Sequence, residues 1–137
     1  MPGNFFDSNV LLYIASADSA KSDRAEKLIG DGGVISVQVL NEITSVARRK
    51  MTLSWPETRA FLSLIRGLLT VQSVTVEVHE NGLALAERYG LSVYDAMIAA
   101  SALRADCSTL WSEDMQSGMS IEDRLTIVNP FSGEAMV

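Results

Sequence analysis

Short apolar runs alternate along this chain with segments of helical period. Phe5-Phe6 forms the first run and Asp7 closes it; Val10, Leu11, Ile14 and Ala15 then recur at helical spacing. A second helix is predicted over Ser22–Ile29, with Ala25, Leu28 and Ile29 on one face and Gly30-Asp31-Gly32-Gly33 as its stop. Val34-Ile35-Ser36 reads as a short buried strand. The segment Val37–Lys50 is helical, with Leu40, Ile43, Val46 and Ala47 inward and Arg48, Arg49 and Lys50 in the last turn, where cations complement the macrodipole. Ser54 and Glu57 frame a capping box with Pro56 in the first turn, opening a helix that runs to about Gly67. A third strand is predicted over Val71–Val74 and a helix over Val78–Tyr89 that Gly90 ends. An alanine-rich helix follows, from Ser92-Val93-Tyr94-Asp95 to Ala105. Thr109-Leu110-Trp111 and Thr126-Ile127-Val128 complete the set, the latter stopped by Asn129-Pro130. Strands separated regularly by helices predict an α/β fold, with a central, mostly parallel sheet of about five short strands flanked by helices.

The 137 residues suit a single domain, 1–137. A hydrophobic fraction of 47% with 20% charged residues is ordinary globular composition. There is one cysteine, Cys107, and one histidine, His79, so a disulfide framework and a Cys/His zinc cluster are excluded. A lone thiol suits a reducing cytoplasm. No segment approaches the roughly 20 apolar residues of a membrane helix. Met1-Pro2-Gly3-Asn4 has no basic n-region, so no signal peptide is expected. The net charge of −6 does not suggest a nucleic-acid partner, since affinity for phosphates comes from Lys and Arg.

The placement of four acids changes that picture. Asp7 ends the first predicted strand and Asp114 lies just past the fourth. Glu42 falls early in the helix after the second strand, and Asp95 in the first turn of its own helix. Ligands of an open parallel sheet bind outside the carboxyl ends of its strands, and helices that follow strands begin at that edge. All four carboxylates can therefore meet in one crevice. Such a cluster repels itself unless a cation fills it, and oxygen-only donors favour Mg²⁺ or Mn²⁺. Those ions support phosphodiester hydrolysis, so the overall acidity belongs in part to the site. Each acid also has a simpler reading. Asp7, or Ser8 beside it, can cap the first helix; Asp95 can complete a Ser-x-x-Asp capping box with Ser92; Glu42 can be solvated; Asp114 can start a turn.

At these positions the sequence resembles the PIN-domain ribonucleases, and among them the VapC-type toxins of toxin–antitoxin pairs. The matching segments are Phe5–Tyr13, Ile35–Glu42, Leu91–Ala102 and Leu110–Gly118. The resemblance implies a three-layer PIN-like fold. It also implies an acidic metal site of Asp7, Glu42, Asp95 and Asp114, supported by Asn9 and Ser112 through hydrogen bonds. The implied activity is cleavage of single-stranded RNA by metal-bound water, leaving a 5′-phosphate and a 3′-hydroxyl. The implied partners are the RNA substrate, a cognate antitoxin protein and a second copy of the chain in a homodimer, with no membrane. One departure stands out: no acid follows among Met115, Gln116, Ser117 and Gly118, where some family members carry one. Glu113 is adjacent to Asp114 but can point elsewhere, and Glu122 and Asp123 are candidate outer ligands. Two alternatives stay open: a phosphatase or phosphoryl-acceptor domain built on Asp7, and a catalytically silent PIN-like interaction module. The first needs a lysine near the carboxyl edge, and Lys21, Lys27 and Lys50 all fall in predicted helices.

Overall fold

The computed structural model describes residues 3–132; residues 1–2 and 133–137 are not described. Among the described residues, six strands form one sheet: β1 Asn4–Phe6, β2 Val34–Ser36, β3 Thr70–Gln72, β4 Thr109–Trp111, β5 Ser120–Ile121 and β6 Leu125–Val128. They lie side by side in the order β3-β2-β1-β4-β6-β5. All pair in parallel except β5, which runs antiparallel to β6 with Ser120 opposite Thr126. Helices α1 Ser8–Leu12, α2 Ser19–Gly30, α3 Val37–Arg49, α4 Trp55–Leu68, α5 Val76–Tyr89 and α6 Val93–Arg104 lie between the strands. Parallel neighbours need such crossovers, because a tight turn cannot join them.

Phe5 and Phe6 show why the molecule has three layers. Successive residues of a strand point to opposite faces of the sheet. Both rings are fully buried, so helices cover both faces of the central strand. Phe5 lies opposite Val34 on one side and Leu110 on the other. Ile35, Leu110, Ile121, Leu125 and Ile127 extend the core along the sheet, and Val39, Ile43 and Ala47 bury the inner stripe of α3.

Several boundaries differ from the pattern-based expectation, each for a local reason. The third strand is Thr70–Gln72 rather than Val71–Val74, because Thr75 turns the chain into α5 by accepting the Val78 N–H at 3.2 Å. Helix α5 accordingly begins at Val76. Helix α2 begins at Ser19, three residues earlier than expected, since Asp18 caps it through the Lys21 N–H at 3.1 Å. Strand β5 is an addition: two residues carry no readable period, and the pairing with β6 defines it.

Gly33 sets the close approach of β2 to β1. Its φ is +155°, and a Cβ there would lie 2.6 Å from Phe6 Cε2 and 2.9 Å from the Asn4 carbonyl oxygen. Gly32, at φ +81°, faces open space. Gly32→Ala should therefore cost about 1–2 kcal/mol from backbone strain alone. Gly33→Ala should cost about 2–5 kcal/mol, because overpacking against an immovable carbonyl adds to the strain. Urea denaturation of both variants checks the order; equal losses would refute the contact argument.

Candidate active site

The strand order creates the crevice. From β1 the chain builds outward to β2 and β3, whereas from β4 it builds the other way to β6 and β5. A ligand crevice opens at such a reversal, beyond the carboxyl ends of the strands. Asp7 follows β1, and Ser112, Glu113 and Asp114 follow β4, so they flank the reversal. The Asp7 N–H donates to the Trp111 carbonyl at 2.9 Å and carries the β1–β4 pairing one residue further.

Asp7 caps α1 from extended backbone, φ −76° and ψ 155°, and its Oδ1 accepts the Ser8 N–H at 2.8 Å. The cap leaves Oδ2 free for other work. That oxygen accepts from the Ser112 hydroxyl at 2.9 Å and from Asn9 Nδ2 at 3.3 Å. The Asn9 amide is oriented from its other end, since Oδ1 accepts the Glu113 N–H at 3.0 Å. Its Nδ2 must then face the acids, and it also donates to Asp114 Oδ2 at 3.2 Å. The Ser112 oxygen accepts the Met115 N–H at 3.2 Å, which leaves its hydrogen for Asp7.

Glu42 and Asp95 approach from the helices. Glu42 sits in the second turn of α3, where Oε1 accepts from the Ser8 hydroxyl at 3.0 Å and Oε2 from Gln38 Nε2 at 3.2 Å. Gln38 also donates to the Tyr94 carbonyl at 3.2 Å and ties α3 to the start of α6. Asp95 is half-buried in the first turn of α6, and the Ser92 hydroxyl accepts its N–H at 3.2 Å, the serine half of the expected capping box. The structure thus joins Asp7, Asn9, Ser112 and Asp114 directly by hydrogen bonds. Glu42 joins them through Ser8. Asp95 makes no hydrogen bond to the other three acids and is coupled to Asp7 and Asp114 through its charge.

That coupling is visible at Asp7, which is 5% exposed. Burial raises its carboxyl from 3.8 to about 6, and the Glu42 and Asp95 charges push in the same direction against the hydrogen bonds from Ser112 and Ser8. Burial also raises Asp95 above its ordinary range, opposed by Ser92 and reinforced by the Asp114 charge. Among the described residues, no three carboxylate, imidazole or thiol groups already enclose a common point as a metal cage. The donor set nevertheless fits a hard divalent ion. All four groups are carboxylates, their charges are mutually unfavourable, and Mg²⁺ characteristically keeps several waters while taking few protein ligands.

Glu122 and Glu113 have partners other than the four acids. Glu122 and Asp123 lie in the turn between β5 and β6, at the opposite edge of the sheet, and Glu122 binds Arg88 at 2.6 Å and Tyr89 at 3.0 Å. They cannot serve this crevice. Glu113 is turned away from the other acids, towards Tyr13 at 2.7 Å and Lys21 at 2.6 Å. Lys21 does belong to a helix, yet its ammonium reaches the edge of the site. It binds Glu113 rather than Asp7, so the arrangement lacks the lysine beside Asp7 that a phosphoryl acceptor would use. Sequence reading missed Gln38, although Gln38 and Glu42 stand four apart on one helix face, a spacing at which side chains meet.

Residues 5–117 match the PIN domain family. The chain belongs to that family. No significant sequence match exists among curated proteins. Solved structures show the same fold at low identity. A toxin–antitoxin complex from Klebsiella pneumoniae contains a chain 21% identical, with 94% of this chain and 98% of that chain covered and a TM-score of 0.70. VapC20 of Mycobacterium tuberculosis, a sarcin-ricin loop cleaving toxin, is 21% identical over 79% of this chain and 87% of its own, with a TM-score of 0.60. DNA-bound VapBC from Salmonella typhimurium is 19% identical over 93% and 97%, with a TM-score of 0.63. The acidic crevice of this PIN domain therefore lies in a three-layer architecture shared with VapC-type toxins.

Asp7 dictates a pH dependence. Its pKa is higher folded than unfolded, so between 3.8 and about 6 the folded chain binds more protons. Metal-free stability should fall as pH rises through that window and then level off. The Asp7 contribution is on the order of 3 kcal/mol at about 1.4 kcal/mol per unit. Asp7→Asn should remove it, at the expense of one acceptor for Asn9 and Ser112. Chemical denaturation in EDTA should find the variant less stable than wild type at pH 4 and at least as stable at pH 7. A difference between the two proteins that does not change with pH would refute the crowding.

Proposed function

We propose that this PIN domain is a metal-dependent endoribonuclease that cleaves single-stranded RNA, and that it is the toxin of a toxin–antitoxin pair. The observation that carries the reading is the buried Asp7 carboxylate, bonded to Asn9 and Ser112 and crowded by Glu42 and Asp95 at the carboxyl edge of a PIN sheet. Asp7, Glu42, Asp95 and Asp114 would hold Mg²⁺ or Mn²⁺. When bound, such an ion supplies a water of lowered pKa and polarises a phosphoryl oxygen. The protein's own contribution is orientation. Asn9 fixes Asp7 relative to Asp114, Ser112 fixes the free oxygen of Asp7, and Ser8 with Gln38 fixes Glu42. In this reading Asn9 and Ser112 would have the supporting roles that the resemblance implies.

The proposed partners are the RNA substrate, a cognate antitoxin and a second copy of the chain. The antitoxin is supported by the Klebsiella pneumoniae relative, which is a toxin–antitoxin complex, and the RNA substrate by the sarcin-ricin loop cleavage of VapC20. A cytoplasmic location accompanies this reading; no helix among the described residues is long and apolar enough to cross a membrane.

Purified protein should cleave single-stranded RNA with Mg²⁺ or Mn²⁺ and stop in EDTA. Asp95→Asn should cost only about 0.3–1 kcal/mol of stability from the lost helix-end charge. Its cleavage rate should fall by about a hundredfold or more, as expected for loss of electrostatic stabilisation at a reacting centre. Retention of near-normal cleavage would make Asp95 a capping residue only. His79→Ala should keep its activity, because His79 bonds to none of the four acids. Folded protein with no cleavage under any metal condition would favour the interaction-module alternative.

A further inference from the structure

The most solvent-exposed of the four acids is the one carried on a loop. Asp114 lies on the loop after β4, and its carboxylate accepts one hydrogen bond among the described residues, from Asn9. Its position therefore depends on how its neighbours are held. Ser112 is fixed inward, with its N–H on the Val128 carbonyl at 3.0 Å and its hydroxyl on Asp7. Glu113 grips the other side at two points. Its N–H binds Asn9 of α1, and its carboxylate binds the Tyr13 hydroxyl at 2.7 Å through one oxygen and Lys21 Nζ at 2.6 Å through the other. Lys21 also donates to the Tyr13 hydroxyl at 3.2 Å.

The cation is seated as well as paired. Lys21 Nζ lies 4.6 Å from the centre of the Tyr13 ring and 5.3 Å from that of Phe131, and the two rings pack edge to face at 4.9 Å. The Lys21 and Glu113 side chains are 31% and 24% exposed, so water screens them less than a free surface pair. A single residue of α2 thereby holds the loop of β4 against the turn after α1. It also neutralises Glu113, which would otherwise add a further negative charge beside Asp114.

We propose that Lys21 is a positioning residue for the acidic site: through Glu113 and Tyr13 it holds the segment carrying Ser112 and Asp114 against Asn9. Its effect on metal binding rests on the function proposed above, whereas the clamp itself does not.

Two measurements on the intact protein separate these. Amide hydrogen exchange in EDTA reads the loop, through the Glu113 N–H on Asn9 and the Met115 N–H on Ser112. Lys21→Met should speed both amides about tenfold while leaving Ile127 of β6 unchanged, the signature of local rather than global opening. Calorimetric titration with Mn²⁺ reads the site, and Lys21→Met should weaken binding about tenfold, the lower end for groups that orient metal ligands. Lys21→Arg should restore both readings to within about twofold. In a Glu113→Gln background, Lys21→Met should add less than about twofold, because the pair acts as one unit. Unchanged exchange at Glu113 and Met115 in Lys21→Met would overturn the clamp, as would equal effects in both backgrounds or an acceleration shared by Ile127. Wild-type protein that binds no Mn²⁺ while its loop exchange still depends on Lys21 would overturn the metal reading and uphold the clamp.

Discussion

One buried carboxylate organises this molecule. Asp7 ends the central strand, caps α1 with one oxygen, and presents the other to Ser112 and Asn9. A buried charge is tolerated only when it is bonded or paired, and here the hydrogen bonds do not suffice to keep it at an ordinary acidity. Glu42 and Asp95 add charge of the same sign. The fold thus maintains a standing electrostatic deficit at the carboxyl edge of its sheet, which a cation would relieve. Such an arrangement costs stability in the free protein.

The surrounding architecture keeps that deficit in place. The reversal of strand order between the parallel neighbours β1 and β4 brings Asp7 and Ser112 together although 105 positions separate them in the chain. Helices then deliver Glu42 and Asp95 to the same edge, each tied to a neighbour by a short polar contact. Capping and function are compatible at these positions. Asp7 uses Oδ1 for the cap and Oδ2 for the site, and Ser92 caps α6 with its own hydroxyl while the Asp95 carboxylate is coupled through charge to Asp7 and Asp114.

Much of the positive charge is engaged elsewhere. Arg48 stacks on Trp55 at 4.3 Å and bonds the Leu53 carbonyl at 2.7 Å. Arg88, Arg104 and Arg124 each hold a carboxylate in an ion pair. Lys21 is the exception in position, since its ion pair borders the acidic crevice. A divalent ion in the crevice would supply the local positive charge that the side chains do not.

The alternation of apolar runs and helical periods by itself determined the layer architecture, because burying Phe5 and Phe6 on opposite faces of one strand demands cover on both sides. It also determined which acids stand at strand ends and helix starts, since those positions follow from strand boundaries and capping signals such as Ser92-x-x-Asp95. Tertiary structure decided the rest. Strand β5 exists only through its pairing with β6, as two residues have no period to read. Glu122 and Asp123, close to Asp114 in sequence, sit at the far edge because β6 must begin there to run parallel to β4. The inclusion of Lys21, a helical residue, and the outward turn of Glu113 depend on side-chain contacts between elements distant along the chain. Local patterns report a residue's backbone state and the face it occupies. The groups it meets are set by how separate elements pack, and that information is not local.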